Sequence, residues 1–482
     1  MARAYPRAFV FASLVIIVTI ILSLAFLGPV DKHGVYDPNL SPERKIATYE
    51  WIIQELYRRN QIIQSQLNET SPFYEKRPET QHIDCGRVLR GDTAYLQSIT
   101  SKNRIPIVEN PVLNMSCPAI LSRINRYPGK LKPLKRGVAF ARIVFSDYEF
   151  IEKQVETSFH PQNVFCFVVD KNSNDTFQKM MIRMGECVEN VHVLPITESY
   201  DSDGHNQNLG HHRCMEFVVS VPGWNYLMLL QNDDVIIKSV YELEQIFGLL
   251  GGANDVSIQP EMGRLVNTFK WDPRSLKLFR NESGIPSKIL DTPMEMAKGD
   301  TEGSLSREAV EWMVKTVDLT IFINQWNQSG YGCDEQFISS FQINSAYSMP
   351  GHFTDECVKN GISTEHISKM TQWAPHQNWQ RCASKTLRHS VCLMGIEDLR
   401  TLAAYPNLMV NKMMPHFDYS IVDCTAELLH NRTFLGQVDH EIQTEYYENM
   451  VNVLYHKNRL NPGYKLNCTP SYTQWHDLPY PI

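Results

Sequence analysis

The sequence predicts an α/β domain built on a parallel-type sheet with helices on both faces, preceded by one N-terminal transmembrane helix and a helical stem. Three observations support this prediction. Strand-like apolar runs alternate with helical segments between residues 137 and 234, an unbroken apolar run occupies residues 8–27, and a helical repeat follows that run. Strands and helices that alternate along a chain favour parallel strands joined by right-handed crossovers.

The apolar run at residues 8–27 is typical of a membrane anchor. It has no charged residue, and Arg3 and Arg7 precede it. A helix of about twenty residues spans the roughly 30 Å hydrocarbon core of a bilayer. The positive-inside rule predicts that residues 1–7 are a cytosolic tail and that the remainder is lumenal. A cleaved signal peptide is the alternative, which the length of the run and the lack of a small-x-small cleavage site disfavour.

Residues 28–84 are predicted to form a stem, with the lumenal domain at 85–482. Ser41-Pro42-Glu43 is a helix start, because it combines a capping hydroxyl, a proline at the first helical position and an early acid. Two arrangements of the helix remain open, a coiled coil that pairs two stems into a homodimer and a helix that lies on the globular domain. The residues at three-four spacing are Ile46, Tyr49, Ile53, Leu56, Asn60, Ile63 and Leu67.

Cysteine and sequon usage predicts an oxidising, glycosylating compartment. All 11 cysteines lie at or beyond Cys85, and the odd number leaves at least one outside the intrachain bridges. A net charge of −7 without long runs of one sign argues against nucleic acid as a partner and against a polybasic membrane patch. Candidate glycosylation sites are Asn68, Asn114, Asn174, Asn281, Asn327, Asn431 and Asn467.

The predicted sheet begins with a βαβ unit. Residues 138–145 form a strand, 148–159 a helix and 164–169 a buried strand that ends at Asp170. A helix at 175–185, a short strand at 191–194, a helix at 211–220 and a strand at 226–230 follow, and Asn232-Asp233-Asp234 ends the last of them. Ligands bind outside the carboxyl ends of such strands, and an acid there suits ribose hydroxyls. No Gly-x-Gly-x-x-Gly follows the first strand, so a nucleotide-sugar is a better candidate than a dinucleotide.

From residue 139 to residue 170 the chain resembles the core-2/I-branching β-1,6-N-acetylglucosaminyltransferases, a family that includes the protein xylosyltransferases. His160-Pro161-Gln162-Asn163 before a Cys-x-x-x-Asp motif is the most specific part of the match. The resemblance covers roughly residues 85–430 and implies a GT-A-like nucleotide-binding fold. It continues at Leu230–Lys238, Ser306-Arg307-Glu308, Asp334-Glu335, Ser390–Gly395, Asp398-Leu399, Asn411-Lys412 and Asp423-Cys424-Thr425.

The resemblance also implies a set of disulfides. Three cysteines, Cys333, Cys357 and Cys468, have no counterpart in the family, and their pairing stays open; Cys333 and Cys357 could form a fifth bridge, which would leave Cys468 over. The implied pairs are Cys85 with Cys424, Cys117 with Cys187, Cys166 with Cys214, and Cys382 with Cys392.

Inverting transfer from a nucleotide diphosphate requires a base for the acceptor hydroxyl and positive charge for the departing diphosphate. The resemblance implies that Glu335 is the catalytic base. The residues alone favour another role for the Asp334-Glu335 pair, which is to charge the first turn of the helix that follows.

The resemblance assigns UDP-sugar binding to Val144, Asp170, Asp234 and Lys412. A second family cation aligns with His389, and Arg388 beside it is the preferred candidate because a guanidinium is always charged. The resemblance implies no metal and no cofactor beyond the donor.

Two metal sites are alternatives. Asp233 and Asp234 offer oxygen ligands that suit Mn²⁺ or Mg²⁺. A zinc site is also conceivable, although its histidines fit no i, i+4 pair. Its candidate ligands are Asp201, Asp203, His205, His211 and His212.

Two departures from the family bear on function. The segment 299–303 carries Asp300 and Glu302 where relatives have uncharged residues, so we expect either a different donor or lost activity. Trp373 and Trp379 suit stacking on an acceptor sugar or packing in the core.

The predicted activity is transfer of N-acetylglucosamine from a UDP-sugar to a glycan or glycoprotein hydroxyl in β-1,6 linkage, at the Golgi membrane. The alternatives are a UDP-xylose-dependent protein xylosyltransferase and a membrane-tethered carbohydrate-binding protein without turnover.

Overall fold

The computed structural model describes residues 72–469 except residues 262, 267, 365 and 374–381. The predicted anchor, the stem helix and Asn68 lie outside the described residues. Among the helices that are described, none combines the length and apolarity needed to cross a membrane. The compact unit begins at Tyr74. Residues 74–84, which were predicted to belong to the stem, are therefore part of this unit. The hydroxyls of Tyr74 and Thr80 both donate to the carboxylate of Asp423.

Thirteen strands are present in the described part of the chain. They are β1 Gly137–Val144, β2 Val164–Val169, β3 Val191–Val193, β4 Trp224–Leu230, β5 Val235–Ile236, β6 Asp255–Val256, β7 Gln259–Pro260, β8 Ala297–Lys298, β9 Gly303–Ser306, β10 Lys369–Thr371, β11 Leu387–Arg388, β12 Val391–Cys392 and β13 Met409–Asn411.

The α-helices of the described part alternate with these strands. They are α1 Cys85–Leu89, α2 Thr93–Ile99, α3 Cys117–Ile124, α4 Tyr148–Ser158, α5 Asp175–Cys187, α6 Gln207–Val219, α7 Val240–Leu250, α8 Pro273–Leu276, α9 Ser287–Leu290, α10 Arg307–Lys315, α11 Thr320–Trp326, α12 Phe337–Ile343, α13 Glu356–Lys359, α14 Leu399–Ala404, α15 Tyr419–His430, α16 Thr444–Glu448 and α17 Val451–Asn458. Single 3₁₀ turns lie at Ser101–Asn103, Ser345–Tyr347 and Ile396–Asp398, and a π-helical turn lies at Asn431–Leu435.

The main sheet has six strands in the order β3-β2-β1-β4-β9-β6. β1 to β4 are parallel, which agrees with the predicted sheet. β9 pairs antiparallel with β4, and β6 pairs antiparallel with β9, so that β6 again runs in the direction of β4. These two strands could not be predicted from the sequence, because they have only four and two residues, too few for a recognisable apolar period.

Helices cover both faces of this sheet, as predicted. Along β1, Val138 and Phe140 belong to one buried apolar cluster, whereas Ala139 and Ala141 belong to another. This alternation follows from the two-residue period of a strand. Helices α4, α5 and α7 contribute to the first cluster, and α6, α10, α11 and α12 contribute to the second.

A second, three-stranded sheet lies beyond the end of β4. Its order is β10-β13-β5, and β5 starts directly after Asp234. β13 runs parallel to β10 and antiparallel to β5. The ends of β4, β10 and β13, which come from distant parts of the sequence, therefore meet at the carboxyl edge of the main sheet.

Five disulfides use ten of the 11 cysteines. Four are the pairs that the family resemblance implies. Cys85 and Cys424 are 339 residues apart, and closure of such a loop contributes on the order of 5 kcal/mol in the chain-entropy model.

Cys333 and Cys357 do not form the fifth bridge that the sequence left open. Cys357, in α13, pairs with Cys468 in the segment after α17, and Cys333 is a buried free thiol. The Sγ of Cys333 faces the backbone carbonyl of Ser329 instead, at 3.3 Å. Sequence spacing did not reveal that the C-terminal segment returns to α13.

Candidate active site

The residues that follow β1, β2 and β4 lie together at the carboxyl edge of the sheet. The backbone amide of Asp170 donates to the carbonyl of Val144 at 2.9 Å, so these two predicted UDP-binding residues are adjacent. The side chain of Asn232 links the ends of β4 and β1, because its Oδ1 accepts from the amide of Phe145 at 3.0 Å. The carboxylate of Asp170 accepts from the amide of Asn172 at 2.8 Å, which orders the turn after β2.

The two acids after β4 face different surroundings. Asp234 is fully buried, and its carboxylate accepts from the amide of Gln231 at 2.6 Å and from Nδ2 of Asn411 at 2.8 Å. Burial raises the pKa of Asp234. Asp233 instead lies beside Lys412, with 3.9 Å between Oδ2 and Nζ. Both oxygens of Asp234 are thus engaged in protein hydrogen bonds, which does not favour the Asp233-Asp234 metal pair.

The two predicted leaving-group cations lie in the same region. Lys412 directly follows β13 and is placed by that strand beside Asp233. Arg388, in the β11-β12 hairpin, is exposed, and its Nη1 lies 3.6 Å from the sulfur of Met414. Arg388 therefore approaches the segment that carries Lys412. His389, the alternative to Arg388, lies exposed in the turn of that hairpin.

Trp373 lies beside the same hairpin. It forms an isolated antiparallel bridge with Val391, and its side chain is 45% exposed. This exposure favours the predicted contact with sugar over a core role. Trp379 lies outside the described residues.

Glu335 lies in the loop before α12 and is bound by two cations. Its Oε2 accepts from the guanidinium of Arg264, and Nζ of Lys298 lies 3.3 Å from the same oxygen. The side chain of Glu335 retains 21% exposure. Helix α12 starts after Gln336 without a side-chain cap bond, so Glu335 is engaged by these cations instead of capping the helix. Arg264 and Lys298 were not predicted from the sequence as partners of Glu335, because neither stands near Glu335 in the chain.

Asp334, beside Glu335, points into the protein. It is buried and accepts from Oγ1 of Thr301 at 2.6 Å. Burial raises the pKa of Asp334. The loop 299–302 thus contacts the segment that carries Glu335.

Lys369 is a further cation that the sequence analysis missed. It is buried at the start of β10, where its Nζ lies 2.6 Å from Glu302 and 3.5 Å from Asp300. Burial, together with the negative charges of Asp234 and Asp300, raises the pKa of Glu302 to about 8. Lys369 and His366 lower the pKa of Asp300 against the opposing effect of its burial. Asp300 and Glu302, the two acids that depart from the family pattern, are therefore both paired with Lys369.

The structure brings together three of the five candidate zinc ligands. Asp201, Asp203 and His205 form one exposed to half-buried group, but both ring nitrogens of His205 are engaged, by Asp201 at 2.8 Å and by the carbonyl of Ser329 at 3.0 Å. His211 lies apart, buried against the carbonyl of Leu230 at 3.1 Å, and burial lowers its pKa to about 4. The predicted five-ligand set is not assembled at one point.

Comparison with known proteins is consistent with this geometry. Residues 138–403 match the model of the Core-2/I-Branching enzyme family. The chain is 24% identical over 383 residues to the human β-1,3-galactosyl-O-glycosyl-glycoprotein β-1,6-N-acetylglucosaminyltransferase 3, which covers 75% of this chain and 86% of that protein. A bovine herpesvirus 4 β-1,3-galactosyl-O-glycosyl-glycoprotein β-1,6-N-acetylglucosaminyltransferase is 23% identical over 383 residues, which cover 75% of this chain and 85% of that protein.

Among solved structures, the mannosyltransferase PcManGT from Pyrobaculum calidifontis in complex with GDP-Man and Mn²⁺ is similar with a TM-score of 0.24 and 12% identity. The match covers 73% of this chain and 87% of that structure.

Proposed function

This chain belongs to the Core-2/I-branching enzyme family and is a glycosyltransferase, and we propose that it moves N-acetylglucosamine from UDP to a glycan hydroxyl in β-1,6 linkage with inversion. The observation that carries this proposal is the state of Glu335, a partly exposed carboxylate that Arg264 and Lys298 hold in one orientation. The activity for which the relatives are named supports the transferred sugar and the linkage.

In this proposal the donor lies along the carboxyl ends of β1 and β2. Val144 and Asp170, which are adjacent there, contact the uridine and the ribose hydroxyls. GT-A-like binding of this kind agrees with the general rule that nucleotides bind where parallel strands end. Asp234 contributes to the site indirectly. Its buried carboxylate accepts a hydrogen bond from Asn411 and so positions Asn411 and the adjacent Lys412.

The chemical step needs one proton transfer and one displacement. Glu335 accepts the proton of the acceptor hydroxyl as its oxygen attacks the anomeric carbon. The bond from that carbon to the diphosphate breaks on the opposite face, and UDP leaves with the electron pair. Lys412, with Arg388 as the second cation, stabilises the charge that develops on the diphosphate. Fixed side-chain cations thus supply the positive charge, and the proposed reaction needs no divalent ion.

We place the enzyme in the Golgi membrane as a single-pass type II protein with its catalytic domain in the lumen. The support is the apolar run at residues 8–27 with Arg3 and Arg7 before it, together with five disulfides in the folded domain.

A donor screen tests the proposal. The purified full-length protein is incubated with each of several UDP-sugars, including UDP-N-acetylglucosamine and UDP-xylose, and with β-1,3-galactosyl O-glycan acceptors. We expect UDP release and glycan extension with UDP-N-acetylglucosamine, retained when a chelator is present. Transfer of xylose would favour the xylosyltransferase alternative. Binding of UDP without turnover of any donor would favour the carbohydrate-binding alternative.

A further inference from the structure

The segment 299–302, which we term the strap, joins β8 to β9 and makes two sets of contacts. In the first set, the amide of Gly299 donates to the carbonyl of Glu335 at 2.7 Å, and Oγ1 of Thr301 donates to Asp334 at 2.6 Å. These two residues alternate in the chain with Asp300 and Glu302. The odd positions of the strap therefore bind the segment that carries Glu335.

The even positions of the strap both meet Lys369. Nζ of Lys369 lies 2.6 Å from Glu302 and 3.5 Å from Asp300. The side chains of Lys369 and Glu302 are only 8% and 2% exposed, so this pair is protected from solvent screening. The ammonium of Lys369 thus joins both acids of the strap to β10, and Nε2 of His366, three residues earlier in the chain, lies 3.4 Å from Asp300 as a second link.

The first residue of the strap also lies close to neighbouring backbone. A Cβ at Gly299 would lie 2.1 Å from the carbonyl oxygen of Ser257, so a larger residue there requires the strap to move. Lys298, directly before the strap, carries one of the two cations on the carboxylate of Glu335. A shift of the strap therefore moves the backbone contact to Glu335 and also its side-chain partner.

We propose that Lys369 is a positioning residue of the transfer site, which holds the strap so that Glu335 keeps its orientation toward the acceptor hydroxyl. This inference rests on the proposed function in which Glu335 is the base. Lys369 does not contact substrate in this proposal, and its effect reaches Glu335 through Glu302, Gly299 and Lys298.

The test is Lys369→Met in the full-length protein, studied by steady-state kinetics and by amide hydrogen exchange. We expect kcat to fall by about 100-fold, the scale of loss when a catalytic group is displaced by about 1 Å. We expect KM for the donor to stay near the wild-type value, because the nucleotide site at Val144 and Asp170 is not part of the strap. Exchange should become faster at residues 299–302 and 334–337.

Three further variants serve as controls. Lys369→Arg keeps the charge and should restore much of the activity. Lys359→Met removes an exposed lysine that pairs with Asp355 and should leave kcat unchanged. If Lys369→Met does not fold because it leaves buried acids without a partner, Lys369→Met combined with Glu302→Leu removes the pair together, which is often tolerated in a protein core.

The outcomes separate this inference from the proposed function. An active wild type with unchanged kcat in folded Lys369→Met, or in Lys369→Met combined with Glu302→Leu, would overturn the role of Lys369 and leave the transferase assignment intact. A rise in donor KM with unchanged kcat would also overturn it. If the wild type turns over no donor, the proposed function fails, and hydrogen exchange still decides whether Lys369 holds the strap: unchanged exchange at 334–337 contradicts it.

Discussion

Nζ of Lys298 and Oε2 of Glu335 lie 3.3 Å apart, and the guanidinium of Arg264 binds the same oxygen. Among the described residues, both cation contacts thus fall on Oε2, which leaves Oε1 directed to an incoming hydroxyl in our proposal. A carboxylate restrained in this way needs little reorganisation when it accepts a proton, and such pre-organisation is a large part of catalysis.

Glu335→Gln should remove the base without removing the site. We expect the transfer rate to fall by about 10²- to 10⁴-fold, the usual contribution of general base catalysis. UDP affinity should stay near the wild-type value, because the amide occupies nearly the same volume. UDP release and calorimetric UDP binding measure the two effects. Glu308→Gln, at an exposed position of α10, is the matched control and should be fully active. Near wild-type activity of Glu335→Gln would rule this residue out as the base.

Lys412→Met should weaken the binding of UDP. A hydrogen bond to a charged group contributes about 1.5–3 kcal/mol, so we expect Kd for UDP to rise by about 10- to 100-fold. Arg388→Met should have a smaller effect on the binding of UDP, because Arg388 is exposed and its guanidinium contacts the sulfur of Met414. Titration of UDP into each variant measures the difference, with Lys315→Met on the surface of α10 as control. A larger loss in Arg388→Met would reverse the proposed order of the two cations.

Glu302 should make the stability of the fold fall as pH rises. Its pKa is raised from an ordinary value of 4.5 to about 8, so between these values the folded state holds a proton that the unfolded state has lost. The free energy of unfolding therefore decreases with pH in this window. In Glu302→Gln this contribution is absent, and its stability relative to wild type should rise from pH 5 to pH 8. Chemical denaturation at several pH values measures the effect, and a constant difference would contradict the raised pKa.

The bridge between Cys357 and Cys468 should stabilise the domain. Its cysteines are 111 residues apart, and closure of a loop of this length contributes about 4–5 kcal/mol in the chain-entropy model, which native-state strain reduces. Replacement of both cysteines by serine should lower Tm, whereas Cys333→Ser should leave the disulfide count at five. Mass spectrometry of non-reduced peptides checks the pairing directly, and a peptide that links Cys333 to Cys357 would contradict the structure.

The sequons should differ in glycan occupancy. At four exposed sites the asparagine Oδ1 accepts from the amide of the serine or threonine two residues later, which leaves Nδ2 directed to solvent. At Asn327, by contrast, Oδ1 and Nδ2 both bond to Asn206, and a glycan there would break this pair. We expect glycopeptide mapping to find glycans at these four exposed asparagines and no glycan at Asn327. Asn431 lies half-buried at the end of α15. The four sites are Asn114, Asn174, Asn281 and Asn467.

The sequence alone determined the layered α/β architecture and the placement of the strand-end residues. β1, β2 and β4 are apolar runs of six to eight residues; Asp170 directly follows β2, and Asp233 stands three residues after the end of β4. Patterns of this kind are local, since the period of a strand or helix is visible within about ten residues. The family motifs are also local, and they predict Glu335 and Lys412 as site residues from a few neighbouring positions in the chain.

Only the tertiary structure decided which side chains meet. Arg264, Lys298 and Lys369 carry no local signal that separates them from solvated surface charges, yet two of them bind Glu335 and the third holds the strap. The pairing of Cys357 with Cys468 and the two antiparallel strands at the sheet edge are of the same kind. Each depends on how segments far apart in the chain pack together, and packing between distant segments leaves no period in the sequence.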